Sequence, residues 1–162
     1  VTLFERCVAV SPDAPISQGN LGMALVERGR LGDALPHFER AVDLGPENAS
    51  GHLNLGNALA MSGRLDDALA QFEEATRLAP SDARAPYGAG RALLTAERPG
   101  LAEPHLREAL RRDPAHARAR SALAVALTVQ GRLAEARVEA AAALRTVPDD
   151  PVVRDDTARL PR

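Results

Sequence analysis

The side chains that could supply a nucleophile or bind a metal are few, and their spacing does not bring them together. Cys7 is the only cysteine, which excludes a disulfide within the chain and a zinc site built on cysteines. The histidines show neither the HExxH nor the HxxxH spacing that places two ligands on one helical face. We interpret all of them as surface residues and predict no metal site; they are His37, His52, His105 and His116.

Neither a catalytic constellation nor a cofactor motif is visible. The serines fall in predicted turns or on helix faces, and none is placed beside a base that could activate its hydroxyl. The glycines follow a long regular period instead of the spacing of a phosphate-binding loop. We therefore predict no enzymatic activity and no cofactor.

The charge and composition restrict the class of partner. A formal net charge of -2 gives no overall field that would attract nucleic acid or an anionic membrane. Aromatic residues make up 2% of the chain, which is too few for base stacking. No apolar run approaches the roughly 18 residues of a membrane span. We expect a soluble chain, with the cytoplasm favoured, and neither nucleic acid nor membrane as a partner.

Prolines, small residues and large apolar residues recur every 34 residues, a period typical of repeat architectures. The prolines of this series are Pro12, Pro46, Pro80, Pro114 and Pro148. Small residues keep the same interval at Gly22, Gly56, Gly90 and Ala124. A third series is Phe38, Phe72 and Leu106.

Each 34-residue unit is predicted to form a helix, a tight turn and a second helix. Apolar residues follow helical spacing on both sides of a central glycine such as Gly29 or Gly63, and the proline ends the second helix. The predicted full repeats are 15–48, 49–82, 83–116 and 117–150. Residues 1–14 form the second helix of a partial repeat, and 151–162 form a partial repeat or capping helix. We expect this single repeat domain to be a fragment of a longer protein.

One unit resembles a known family. Leu55-Gly56, Leu59, Ala68, Phe72 and Pro80 match the pattern of the tetratricopeptide repeat family. The resemblance covers nearly the whole chain. It implies an all-α, right-handed superhelical solenoid of antiparallel helix pairs, with about four full repeats and partial repeats at both ends.

Several positions depart from the family pattern. Ala124 replaces glycine, Ala140 replaces the aromatic residue, and Glu97 lies in the turn of the third unit. The tryptophan expected early in each first helix is replaced by Gln18, His52, Pro86 and Arg120. We expect local deviations in these units, without a change of fold.

In the family that the chain resembles, first helices line a concave groove that binds extended peptides. Asparagine amides could pair with a peptide backbone, methionine and tyrosine could give apolar contact, and arginines could hold a carboxylate. The residues that the register assigns to the groove are Asn20, Met23, Asn54, Asn57, Met61, Arg84, Tyr87, Arg91 and Arg118. Solvated amides, core packing and arginines paired with nearby acids are the alternatives.

The arginine-rich part of the groove suggests the charge of a partner. Residues 84–120 hold eight arginines and four acids, a local charge of +4. We therefore predict a scaffold that binds a protein or an extended peptide. The more specific form of this prediction is a partner that is acidic or carries a carboxylate. One alternative is an accessory arm of a larger enzyme such as a glycosyl- or sulfotransferase. Another is an oligomerisation module that uses the terminal repeats.

Overall fold

The computed structural model describes residues 14–160, and within that range the chain forms nine α-helices and no strand. The helices are α1 (Pro15–Glu27), α2 (Leu31–Leu44), α3 (Ala49–Met61), α4 (Leu65–Leu78), α5 (Arg84–Thr95), α6 (Pro99–Arg112), α7 (Ala117–Val129), α8 (Leu133–Thr146) and α9 (Pro151–Ala158). Residues 1–13, which include Cys7 and nearly all of the predicted helix over residues 1–14, lie outside the described residues.

Two compact units divide the chain, residues 1–80 and 81–162. In the described part of the first unit, α1 pairs with α2 and α3 with α4, and α2 packs against α3. In the second unit, α5 pairs with α6 and α7 with α8, while α9 packs mainly against α7. The short connections within each pair make the paired helices antiparallel.

Turns and caps fix where the helices begin. Gly29, Gly63 and Gly131 adopt left-handed φ values of 71°, 82° and 78° in the turns within three pairs. Glu97 holds the same position in the third pair with φ 58°, which costs a residue with a Cβ more than it costs glycine. At the start of α3, the side chain of Asn48 accepts hydrogen bonds from two backbone amides.

Small residues on the first helix of a pair make room for a large residue on the second. A Cβ atom added to Gly56 would lie 2.8 Å from the ring of Phe72, and one added to Gly90 would lie 2.6 Å from Leu106. In the fourth pair both positions are alanine, Ala124 and Ala140, and both are buried. Ala124 can replace glycine there because the facing residue is small.

In three of the four helix pairs, a polar link occupies the position where the family pattern has tryptophan, and in the third pair this position is Pro86. The linked side chains are Gln18 and His37 at 2.7 Å, His52 and Gln71 at 2.8 Å, and Arg120 and Glu139 at 2.8 Å. His52 also contacts the carbonyl oxygen of Pro46 at 2.9 Å, and Arg120 donates to that of Pro114 at 2.9 Å. His52 is 6% exposed, so the prediction of a surface histidine is wrong there.

Candidate functional site

The first helices of the first unit place four of the predicted residues around one cavity of about 200 Å³. Met23 lies on α1, and Asn54, Asn57 and Met61 lie on α3. The thioether side chains remain accessible, since Met23 is 46% exposed and Met61 is 62% exposed. The rest of the wall comes from Val26, Glu27, Phe38 and Ala58.

A second cavity of about 120 Å³ continues this surface toward the start of α1. It brings Asn20 to the same wall as Asn54, and Ile16, which is 70% exposed, lies beside them. Asn54 and Phe38 line both cavities, so the two adjoin. We call the combined surface the α1/α3 groove.

The amide of Asn54 keeps most of its hydrogen-bonding capacity. Its Nδ2 donates to the sulfur of Met23 at 3.8 Å, and a thioether is a weak acceptor. A side-chain amide carries two donor hydrogens and an acceptor oxygen, so this one contact leaves groups that a bound backbone could use. The groove thus has an amide at its centre and flexible apolar side chains around it.

The predicted site arginines of the second unit, Arg84, Arg91 and Arg118, are already paired with acids of the chain. Nη1 of Arg91, on α5, donates to both carboxylate oxygens of Asp156, on α9, at 3.0 and 3.1 Å. The hydroxyl of Ser121, on α7, donates to the same carboxylate at 2.8 Å. The side chain of Asp156 is 6% exposed, whereas that of Arg91 is 38% exposed.

Arg118 and Arg84 form similar pairs close to helix starts. Arg118 donates to Asp150 at 2.9 Å, and this hydrogen bond holds the pKa of the Asp150 carboxyl below its ordinary value. Asp150 also accepts hydrogen bonds from two backbone amides at the start of α9. Arg84 donates to Asp82 at distances from 2.7 to 3.1 Å and likewise lowers the pKa of that carboxyl.

Tyr87 is part of the packing between helix pairs of the second unit. It packs against the buried cluster of Ala83, Ala109 and Ala119, and its ring centroid lies 4.8 Å from that of His116. Burial raises the pKa of the Tyr87 hydroxyl. Much of the Tyr87 side chain therefore packs in the core, which is the alternative to a role in the groove.

The structure thus divides the predicted site residues into two groups. The first unit brings together Asn20, Met23, Asn54, Asn57 and Met61. The second unit holds Arg84, Tyr87, Arg91 and Arg118, of which Arg91 and Arg118 contact acids at α9. Sequence reasoning missed Asp156, although the repeat period places it in register with Asn20 and Asn54.

The part of the chain that the structure describes contains neither a cluster of metal-binding side chains nor a membrane-spanning helix. No cluster of three or more His, Cys, Asp or Glu between residues 14 and 160 could hold a metal ion. In the same range, no helix is both long and apolar enough to cross a lipid bilayer.

The tetratricopeptide repeat model matches residues 2–83 and 87–151. The chain belongs to the tetratricopeptide repeat family. Proteins of this family are generally scaffolds that bind proteins or peptides and have no enzymatic activity of their own. A search of curated protein sequences gives no significant match.

Solved structures of other tetratricopeptide repeat proteins share the fold. TTC0263 from Thermus thermophilus is 28% identical with a TM-score of 0.80, over 96% of this chain and 86% of that one. YrrB, a TPR protein with an unusual peptide-binding site, is 24% identical with a TM-score of 0.71, over 96% and 80%. PilF of Pseudomonas aeruginosa is 17% identical with a TM-score of 0.80, over 96% and 77%. The predicted fold class is confirmed.

Proposed function

We propose that this chain is a protein-binding scaffold whose α1/α3 groove binds an extended segment of a partner protein. One observation carries the proposal. Met23 and Met61 are exposed apolar side chains on the wall of a cavity that also presents the amides of Asn54 and Asn57. Small-molecule and peptide sites commonly combine apolar walls with a few convergent polar groups.

The chemistry of the side chains suggests which groove residues bind the peptide backbone and which contact its side chains. Asn20 and Asn54 lie one repeat apart and can each give a donor and an acceptor to the backbone of the bound segment. Met23 and Met61 would contact its apolar side chains, because flexible thioethers adjust to different shapes. Such a groove would accept a range of peptide sequences that place an apolar residue against Met23 or Met61.

Two further points support a peptide as the ligand. The structural neighbour YrrB is a TPR protein with a peptide-binding site, so a related fold supports this type of recognition. The charged residue in the wall of the larger cavity is Glu27, which would repel an acidic side chain placed there. We therefore expect neutral or basic peptides in the α1/α3 groove.

A peptide library tests the proposal. Peptides selected from a displayed random library on the intact chain would be labelled, and their dissociation constants measured by fluorescence anisotropy. We expect Met61→Ala and Asn54→Ala each to weaken binding about tenfold, the effect of losing one central contact worth about 1.4 kcal/mol. Equal affinity of wild type and both variants would reject the groove.

A matched control separates the groove from general surface effects. Val138, on α8, is 66% exposed and does not line either cavity of the α1/α3 groove. Val138→Ala removes apolar surface elsewhere, so we expect unchanged peptide affinity. Far-UV circular dichroism would check that each variant keeps the helical content of the wild type.

A further inference from the structure

A single carboxylate lies in the wall of the larger cavity of the α1/α3 groove. Among the described residues that line this cavity, Glu27 alone carries a charge. It is the last residue of α1, and its side chain is exposed. The equivalent residues of the other three full repeats are Met61, Thr95 and Val129, none of which is ionisable. The helix-pair fold therefore does not require a carboxylate at this position.

The Glu27 carboxylate has no counter-ion in the chain between residues 14 and 160, where its side chain forms neither an ion pair nor a hydrogen bond. Arg30, three residues further on, pairs with Asp33 at 2.7 Å instead. An acid in the last turn of a helix also faces the partial negative charge of the helix C-terminus, which is unfavourable. Glu27 thus holds a negative charge that the rest of the described chain does not compensate.

The electrostatics of the cavity favour a cationic ligand group. Helix α1 ends at Glu27 and α3 ends at Met61, and both of these residues line the cavity. The C-terminal ends of helices attract cations within the last turn. Residues 14–80 also hold five arginines and nine acids, a net charge of -4. The carboxylate, the two helix ends and the net charge of this region therefore act in the same direction.

The other side chains of the wall suit arginine. Its aliphatic stem can pack against Met23, Val26 and Met61, because long basic side chains bury their methylene groups on apolar surface. Its guanidinium carries five donors, for which Glu27 offers two carboxylate oxygens and Asn57 offers an amide oxygen. Arginine fits better than lysine, because the planar guanidinium pairs with a carboxylate through two hydrogen bonds and is more weakly hydrated.

We propose that the larger cavity of the α1/α3 groove is an arginine-binding pocket. Glu27 selects a partner segment that places an arginine side chain between Met23 and Met61. This inference rests on the proposed function, because it names the residue of the bound segment that the groove recognises. It adds one requirement, namely that affinity depends on the positive charge of a single ligand side chain. Glu27 is then the residue that determines the specificity of the groove.

A double-mutant cycle between Glu27 and the ligand arginine tests the proposal. The probe is the tightest-binding peptide that the intact chain selects from the displayed random library, synthesised with arginine or with its neutral isostere citrulline. Fluorescence anisotropy would give the dissociation constants for wild type and Glu27→Gln. We expect Glu27→Gln to weaken binding of the arginine peptide about fivefold, the upper range for an accessible ion pair, and to leave the citrulline peptide unchanged.

Two results of the same assay would overturn the arginine pocket. One is the selection of peptides without arginine, and the other is an equal effect of Glu27→Gln on the arginine and citrulline peptides. A peptide with lysine at the arginine position should bind more weakly than the arginine peptide, because an ammonium group cannot make the bidentate contact. Equal affinity of these two peptides would overturn the choice of arginine.

A matched variant controls for the general effect of charge. Glu73, on α4, is also an exposed glutamate of the first unit and lines neither cavity of the groove. Glu73→Gln changes the net charge by the same amount, so we expect less than about a twofold change in affinity for the arginine peptide, because screening weakens distant charges. Glu27→Gln should not lower the midpoint of thermal unfolding, since it removes an acid from a helix C-terminus. A lowered midpoint would assign Glu27 to the fold and overturn the proposal.

Methyl signals separate a failure of this inference from a failure of the proposed function. The chain has two methionines, Met23 and Met61, and both line the larger cavity. In a chain with ¹³C-labelled methionine methyl groups, the arginine peptide should shift both signals. Shifted signals with no dependence on Glu27 would retain the groove as a peptide site and overturn the arginine pocket. Unshifted signals, together with full affinity of Met61→Ala and Asn54→Ala, would overturn both proposals.

Discussion

The two units use equivalent repeat positions in opposite ways. Met23 and Asn57 in the first unit share their repeat position with Arg91 in the second. The first two line an accessible cavity, whereas Arg91 binds a buried carboxylate of α9. One helical scaffold thus leaves a first-helix face accessible to solvent in one unit, whereas in the other unit a residue at the same repeat position is paired within the chain.

The cores of the two units differ in a related way. In the first unit, glycine faces phenylalanine in both helix pairs, as with Gly56 and Phe72. In the second unit, Gly90 faces leucine and Ala124 belongs to a pair in which the aromatic position is Ala140. Each helix pair requires that the two facing residues together fill the space between the helices, whereas the types of the two residues can vary. We call this requirement the size rule.

The largest expected effect tests this size rule in the first unit. Phe72→Ala should lower the free energy of unfolding by about 3–5 kcal/mol because it leaves a cavity. Gly56→Ala should cost about 1–3 kcal/mol, since its Cβ would overlap the Phe72 ring. Urea denaturation followed by circular dichroism would measure both losses.

The double variant decides whether the two residues act as a pair. Gly56→Ala should cost nothing further in the Phe72→Ala background, because the double variant reproduces the alanines at positions 124 and 140. Ala124→Gly provides the reverse change in the second unit and should cost about 1 kcal/mol through helix propensity alone. Additive losses in the double variant would break the size rule.

The next effect compares a buried ion pair with an exposed one. Asp156→Ala removes a carboxylate that accepts hydrogen bonds from Arg91 and Ser121, so we expect a loss of about 1.5–3 kcal/mol. Asp33→Ala breaks the exposed pair with Arg30 in the first unit and should cost less than about 1 kcal/mol. Thermal unfolding of the two variants would be compared with wild type, and similar losses would contradict the distinction.

The repeat fold could be predicted because its signals are local. Proline and glycine end helices directly, as at Pro80 and Gly63. These helix ends recur every 34 residues along the chain. The register also indicated which first-helix residues of the first unit lie together, since Asn20 and Asn54 differ by one period. Both predictions need only the spacing of residues within or between neighbouring helices.

Side-chain pairs between helices could not be predicted in this way in either unit. Arg91 and Asp156 are 65 residues apart, and their contact depends on where the short helix α9 packs. The polar link of His52 and Gln71 spans 19 residues, and no single-helix pattern indicates it. Side-chain pairing across helices depends on three-dimensional distances that residue spacing alone does not give.

A smaller effect concerns the turn within each helix pair. Gly63→Ala places a Cβ at φ 82° and should cost about 1–2 kcal/mol. Glu97→Gly in the second unit removes that penalty but adds chain entropy to the unfolded state, so we expect a gain of less than about 1 kcal/mol. Gly19→Ala, in the interior of α1, is a control that should be stabilising. Denaturation midpoints that fell for Glu97→Gly would contradict the equivalence of the two turns.

The smallest expected effect is a difference in acid sensitivity between two equivalent carboxylates. Glu108 of the second unit accepts hydrogen bonds from Arg111 and Arg112, which lower its pKa from 4.5 to about 2. Glu74, one repeat earlier, pairs with Arg77, and its pKa is also lowered. In both cases the folded state favours the charged carboxylate, so the stabilisation is present above pH 4.5 and is lost as the pH falls through the folded pKa.

Glu108→Gln should therefore destabilise the chain at pH 7 by less than about 1 kcal/mol, and the difference from wild type should vanish as the pH falls below about 2. Urea denaturation at several pH values would measure it, with the fluorescence of Tyr87, the only tyrosine, as a reporter in the second unit. Glu74→Gln should change less over the same range, because one guanidinium instead of two holds its charge. A larger effect for Glu74→Gln than for Glu108→Gln would contradict the comparison between the units. A stability loss in Glu108→Gln that persisted unchanged at about pH 2 would show that Glu108 acts through packing and not through its charge.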